Sequence, residues 1–167
     1  MSTFTRRSAP VLALAALAGA AGLGCSGSTP SSSESTTTAA PATSAPAAGA
    51  PVVVTMKEWT VEPTATQAKP GPVTFEAKNA GTKVHEVALL KSDLAPDRLP
   101  LDEDGAVDES GEGVELVDEV EDVDVGESKS FTTDLAAGNY YLVCNLVDAD
   151  TGDKHFGHKM FASFTVS

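Results

Sequence analysis

Five side chains in the later part of the chain have the types and the order to hold a metal ion: His85, Cys144, His155, His158 and Met160. They include every histidine of the protein and one of its two cysteines. A thiolate and two imidazoles in a trigonal arrangement, with a weak thioether on the axis, satisfy copper in both its softer reduced state and its harder oxidised state. Little ligand movement then accompanies the arrival or departure of an electron. Each residue alone has a blander reading: His85 as a satisfied core histidine, Cys144 as a small buried hydrophobe, Met160 as core filling. Their order and spacing together favour one copper ion, cycling between Cu(I) and Cu(II).

Other chemistries fit less well. His85-Glu86 does not begin a zinc-protease motif, because residue 89 is Leu. Asp148-Ala149-Asp150-Thr151-Gly152-Asp153 looks superficially like a calcium loop, but its Gly comes one place early and the terminal Glu is missing, so an acidic surface turn is the better reading. Asn145, beside the cysteine, reads as a hydrogen-bonding partner within the ligand loop or as a local turn former. Three histidines are too few for a multicopper oxidase cluster, and no enzyme is expected.

These residues need a rigid scaffold, and residues 51–167 supply short strand-like runs. Val52–Met56 is one. In Val73–Ala77, Val73, Phe75 and Ala77 face one way. His85, Val87 and Leu89 share a face of the next run. Phe131–Thr133 begins another, Tyr140–Leu146 is strongly β-prone, and Ala162, Phe164 and Val166 share a face of the last. Turn signals separate them at Lys69-Pro70-Gly71-Pro72, Asn79-Ala80-Gly81, Val125-Gly126-Glu127 and Ala137-Gly138-Asn139. Many short strands with regular turns predict an antiparallel β-sandwich. One helical turn is expected around Ser92–Leu99, capped by Ser92 or Asp93. Residues 102–127 hold thirteen acids and no Lys or Arg. Part of this stretch is read as a solvated loop, and Val114–Val125 as an edge strand with one wet face.

With the runs Asn79-Ala80-Gly81-Thr82-Lys83-Val84-His85-Glu86 and Gly138-Asn139-Tyr140-Tyr141-Leu142-Val143-Cys144-Asn145, then His155-Phe156 and Met160, the chain resembles the cupredoxin family, and in it the small exported copper proteins. The resemblance covers essentially all of 51–167. It implies an all-β, cupredoxin-like Greek-key sandwich with a mononuclear copper site. His85 and His155 are the implied equatorial imidazoles, Cys144 the thiolate and Met160 the axial ligand. His155 is preferred to His158 because the four residues between His155 and Met160 match the family's usual gap; His158 stays open as a swapped ligand. Two departures stand out. Ten residues separate Cys144 from His155, so that 147–154 reads as an insertion that folds out as a polar turn. Lys159 stands where the family often has Gly before the Met.

The first fifty residues are excluded from the fold. Residues 1–24 read as a signal peptide, with Arg6 and Arg7 ahead of an apolar run from Ala9 to Leu23 that is too short to span a bilayer comfortably. The run ends at Gly22-Leu23-Gly24-Cys25, which resembles a bacterial lipobox with Gly22 in place of the usual Leu; this implies cleavage before Cys25 and acylation of its thiol. Thr5-Arg6-Arg7 keeps twin-arginine export open beside the general route. Residues 25–50 then form a lipidated cysteine and a flexible Ser/Thr/Ala/Pro linker, with a reach of roughly 25–30 Å. If Cys25 carries lipid, Cys144 has no disulfide partner within the chain, and a metal is one way to occupy a lone thiol in an oxidising compartment.

The formal net charge is −13, and −15 once Arg6 and Arg7 are removed with the leader. Such a chain does not bind nucleic acid, whose phosphates need Lys and Arg. It suits instead a redox partner with a basic docking surface. The expectation is a monomeric, exported protein anchored to the outer face of the bacterial cell membrane. Its preferred role is outer-sphere electron transfer. The alternative is a copper carrier for sequestration or delivery, which the paucity of Met disfavours, and beyond that a metal-free docking module. Fractionation checks the anchor: the wild-type chain stays with membranes and Cys25→Ser moves it to the soluble fraction, whereas equal partitioning of both removes the lipoprotein reading.

Overall fold

The computed structural model describes residues 49–167. The expected signal peptide, Cys25 and all but the last two residues of the expected linker lie outside the described residues. Two sheets enclose the main core. The first has four strands in the order β2-β1-β4-β7, with β1 Val52–Lys57, β2 Thr60–Pro63, β4 Gly71–Asn79 and β7 Ser128–Leu135. The second has five in the order β3-β9-β8-β5-β6, with β3 Gln67–Ala68, β5 His85–Lys91, β6 Glu115–Val123, β8 Gly138–Val143 and β9 Phe161–Val166. The expected β-sandwich is therefore present. Its sheets are mixed rather than wholly antiparallel, because β1 runs parallel to β4 and β3 parallel to β9.

Alternation explains which side chains meet. Val52, Val54 and Met56 of β1, Val73, Phe75 and Ala77 of β4, and Val87 and Leu89 of β5 all point into the space between the sheets and are buried. Phe75 lies at its centre, 5.3 Å from the ring of Phe131 and 5.3 Å from that of Phe164. The five-stranded sheet is covered on its outer face too. Ala88, Leu90, Tyr141 and Val143 form a second buried cluster with Leu99 and Val107 from the long connection that follows β5. β5 and β8 are thus nearly continuous apolar runs, as strands buried on both faces must be.

Several boundaries differ from the sequence reading. β7 begins at Ser128 rather than Phe131, and β8 ends at Val143, where Cys144 turns out of the ladder. The helical turn is a single 3₁₀ turn, Pro96–Arg98, with no side-chain cap; Ser92 instead accepts from the Leu94 amide and donates to the Gly113 carbonyl. β6 is the edge strand expected, but not with one wet face. Its register against β5 shifts twice, and Asp122 adopts a positive φ of 51°. Each shift reverses the side-chain alternation. Val117 and Val120 therefore reach the main core while Leu116 reaches the second cluster. Among the described residues no helix is long and apolar enough to cross a membrane.

Asn79, the last residue of β4, joins the two sheets. Its side chain is buried. The amide nitrogen donates to the Lys83 carbonyl at 2.7 Å and to the Val123 carbonyl at 2.8 Å, and the amide oxygen accepts from the Gly81 amide at 2.9 Å. It thereby shapes the turn that delivers His85 and ties that turn to the end of β6. Asn79→Ala leaves buried carbonyls unpaired and should lower stability by about 2–4 kcal/mol, read as a shift in the urea midpoint; a change within error would mean that water replaces the side chain.

Candidate metal centre

His85 opens β5, Cys144 follows β8, and His155 precedes a 3₁₀ turn, Phe156–His158, that leads into β9. Because β5, β8 and β9 are neighbours in one sheet, these three strand ends meet at one end of the sandwich. Main-chain bonds lock the approach. The Cys144 amide donates to the Met160 carbonyl at 2.9 Å, the Met160 amide to the His155 carbonyl at 3.2 Å, and the His155 amide to the Leu146 carbonyl at 3.0 Å. The intervening insertion folds out as a small hairpin, closed by a bridge between Val147 and Lys154, and so leaves both ends of the loop in place. Lys159 takes the left-handed conformation, φ 68°. That is the physical reason a Gly suits this position: a side chain there costs roughly 1 kcal/mol of backbone strain.

The result is a triangle of donor atoms. His85 Nδ1 and His155 Nδ1 are 3.2 Å apart, and Cys144 Sγ lies 3.2 Å from His155 Nδ1 and 3.7 Å from His85 Nδ1. All three residues are fully buried. First-row metal bonds of about 2.0 Å to nitrogen and about 2.3 Å to sulfur, at trigonal to tetrahedral angles, separate such donors by about 3.3–3.8 Å. The triangle therefore fits one ion with small adjustment, and these three side chains form a group that could hold it. Met160 is also fully buried, in the same core cluster as Cys144, and its main chain is bonded to both Cys144 and His155. His158 is not part of the group. It is exposed and stacks on Trp59 with ring centroids 4.0 Å apart.

Electrostatics favour the neutral imidazole that a metal needs. Burial pushes His85 below its ordinary value, against the pull of the Glu58 carboxylate. Burial, with the charges of His85 and Lys83, lowers His155 to about 4. Burial drives the Cys144 thiol up to about 12, despite amides of Glu86 and Leu146 directed at it. Only a cation in the triangle would make this sulfur a thiolate at neutral pH. The Glu86 amide faces Sγ at 3.5 Å, while its carboxyl, raised to about 7 by burial and by Glu109 and Glu119, opens toward an acidic cleft of about 780 Å³ beside the site.

Several contacts were not legible in the sequence. Asn145 does not bond within the ligand loop. It accepts from the Val107 amide at 2.6 Å and donates to the Val107 carbonyl and to Glu109, pinning the cysteine strand to the distant 101–109 segment. Glu58 and Trp59 lie in the tight turn between β1 and β2 and reach both histidines. Glu58 accepts from the Thr82 and Lys83 amides and approaches His85, and the Trp59 ring stands edge-on to His155 at 5.2 Å. Lys83 spans to the insertion, 2.6 Å from Asp148 and 3.5 Å from Asp153. The cation held by the calcium-like acidic turn is thus this ammonium. No spacing rule finds these residues, since the partners are 24 to 96 positions apart.

No protein-family model and no curated protein sequence matches the chain. Solved structures do. Auracyanin B aligns over 70% of this chain and 87% of its own with 16% identity and a TM-score of 0.50. Dithionite-reduced auracyanin from the photosynthetic bacterium Roseiflexus castenholzii aligns over 71% and 99% with 16% identity and a TM-score of 0.49. Auracyanin A from Chloroflexus aurantiacus, described as a "blue" copper protein, aligns over 71% and 100% with 20% identity and a TM-score of 0.47. The likeness to auracyanin B shows the fold, a cupredoxin β-sandwich.

The Lys83 bridge makes a pH prediction. The hydrogen bond from Lys83, with the Thr151 and Asp150 amides, holds the Asp148 carboxyl at about 2 rather than 3.8. A depressed carboxyl stabilises the fold above its unfolded value, and the contribution is lost as pH falls through about 2. In Lys83→Met the Asp148 midpoint, followed by carboxyl-detected NMR, should rise toward 3.8; a midpoint unmoved from wild type would show that the loop amides alone depress it.

Proposed function

We propose that this cupredoxin-fold chain binds one copper ion and carries single electrons by outer-sphere transfer. The observation behind the reading is the convergence of two imidazole Nδ1 atoms and a cysteine sulfur within 3.2–3.7 Å in a pocket from which water is excluded. In this reading His85 and His155 bind through Nδ1, Cys144 through its thiolate and Met160 through its thioether. Bound copper supplies the one-electron couple. The chain's own contribution is positional. Main-chain bonds on both sides of the loop hold the donors still, so that neither oxidation state rebuilds the site.

Burial argues for transfer of electrons rather than of copper. His85, Cys144, His155 and Met160 are each 0% exposed, and a fourth ligand from Met160 leaves no position for a substrate. Trp59 covers His155, and His158 covers Trp59 on the solvent side. A carrier must instead release its ion, which an enclosed site resists.

The remaining assignments complete the proposal. Residues 51–167 are the copper domain, 25–50 the tether, and 1–24 a leader removed before Cys25. Lipid on Cys25 would hold the domain outside the cell membrane, where it works as a monomer without catalysing a reaction of its own. The acidic cleft and the overall negative charge favour a redox partner with a basic docking surface, whose encounter the field accelerates.

Copper(II) added to the full chain should produce an intense visible thiolate-to-copper band that bleaches reversibly with a reductant and is missing from Cys144→Ser. Copper bound without that band would move the carrier reading ahead. No copper uptake would overturn the ligand set and make the domain a docking module.

A further inference from the structure

The two histidines are alike in burial but not in what backs them. Neither Nε2 has a hydrogen-bond partner of good geometry, and the His155 ring stands nearly perpendicular to that of Trp59 with centroids 5.2 Å apart. What distinguishes His85 is a carboxylate at ion-pair distance: Glu58 Oε1 stands 3.4 Å from its Nε2. The same oxygen accepts from the Thr82 amide at 2.8 Å and the Lys83 amide at 2.7 Å. Glu58 is therefore held by the turn that delivers His85, from a different strand pair. The approach is accommodated by a glycine. A Cβ at Gly81 would come 2.7 Å from Glu58 Oε1 and 3.0 Å from His85 Nε2, so a larger residue there would push the carboxylate aside. Space at Gly81 is thus reserved for the meeting of carboxylate and imidazole.

Resting on the copper reading above, we infer that Glu58 is a positioning residue for His85 that also biases the site toward the more positive ion. A carboxylate this close to Nε2 favours the tautomer with its proton there, which leaves the Nδ1 lone pair for the triangle. The two amides keep the carboxylate in place even before a metal arrives. The fixed negative charge, one imidazole away from the ion, stabilises Cu(II) more than Cu(I), because the interaction grows with the ion's charge. His155 has no such partner, so the site is electrostatically one-sided: its anionic backing lies behind His85, and its aromatic cover lies over His155.

Two variants of the full chain separate this role from a structural one. Glu58→Gln keeps an oxygen for the two amides and for Nε2 but removes the charge. Glu58→Ala removes both. In the metal-free protein, nitrogen-15 NMR of the imidazoles should show His85 with its proton on Nε2 in wild type and in Glu58→Gln, and a mixture of tautomers in Glu58→Ala. In copper titrations, Glu58→Gln should weaken Cu(II) binding roughly 10- to 100-fold with a smaller loss for Cu(I), and the melting temperature of the metal-free chain should stay near wild type. The Cu(II)-to-Cu(I) preference is the readout that a turn clamp alone would not move. If wild type binds copper and both variants keep its preference, Glu58 only braces the turn and this inference fails while the copper reading stands. If wild type binds no copper, the copper reading fails and takes this one with it.

Discussion

Two imidazole nitrogens and a sulfur lie within 3.2–3.7 Å of one another in a fully buried pocket, close enough to share protons as hydrogen-bond partners. The nitrogens have lost their water, the thiol is held protonated at about 12, and His155 is held neutral down to about 4. Buried polar groups are expensive unless they pair with one another or with a metal, so the surrounding scaffold must fix the geometry in which they do. Much of the molecule's architecture follows from that requirement. A cation would displace the shared protons and turn all three donors into ligands.

The reinforcement is concentrated on the turn before His85. Asn79 shapes that turn from within and bonds it to the end of β6. Glu58 grips two of its amides from the β1–β2 turn. Lys83, in the same few residues, holds the hairpin that precedes His155. One short segment is thus tied to three other parts of the chain, two of which also touch a candidate ligand. On the cysteine side the restraint is longer-ranged: Asn145 fastens the end of β8 to the segment that covers the outer face of the sheet. That segment buries the second apolar cluster and lines the acidic cleft. The charged flank beside the site and the rigidity of its cysteine therefore come from the same piece of chain.

How much of this was readable beforehand depended on range. β4 and β9 announced themselves through alternation and β1, β5 and β8 as short β-prone apolar runs, since both signals are visible locally. β2 and β3 did not, having four and two residues in which a period hardly shows. The bulges of β6 were hidden as well. Val–acid alternation reads as one wet face, and only the pairing with β5 reveals two register shifts, which let Val117 and Val120, three positions apart, reach the same core. The cap expected from Ser92 failed for a related reason: its hydroxyl bonds Gly113, a partner twenty-one residues away.

By itself the amino-acid sequence determined the donor types, their order along the chain, the sandwich class and the acidic character, because each is a property of residue identity or of neighbours a few positions apart. Tertiary structure decided the rest. It brought His85, Cys144 and His155 into one triangle and left His158 outside, stacked on Trp59. It also placed Glu58 against His85 and gave the acidic insertion its cation in Lys83. Those outcomes join residues far apart in sequence, and they exist only where strand register and sheet order close the distance.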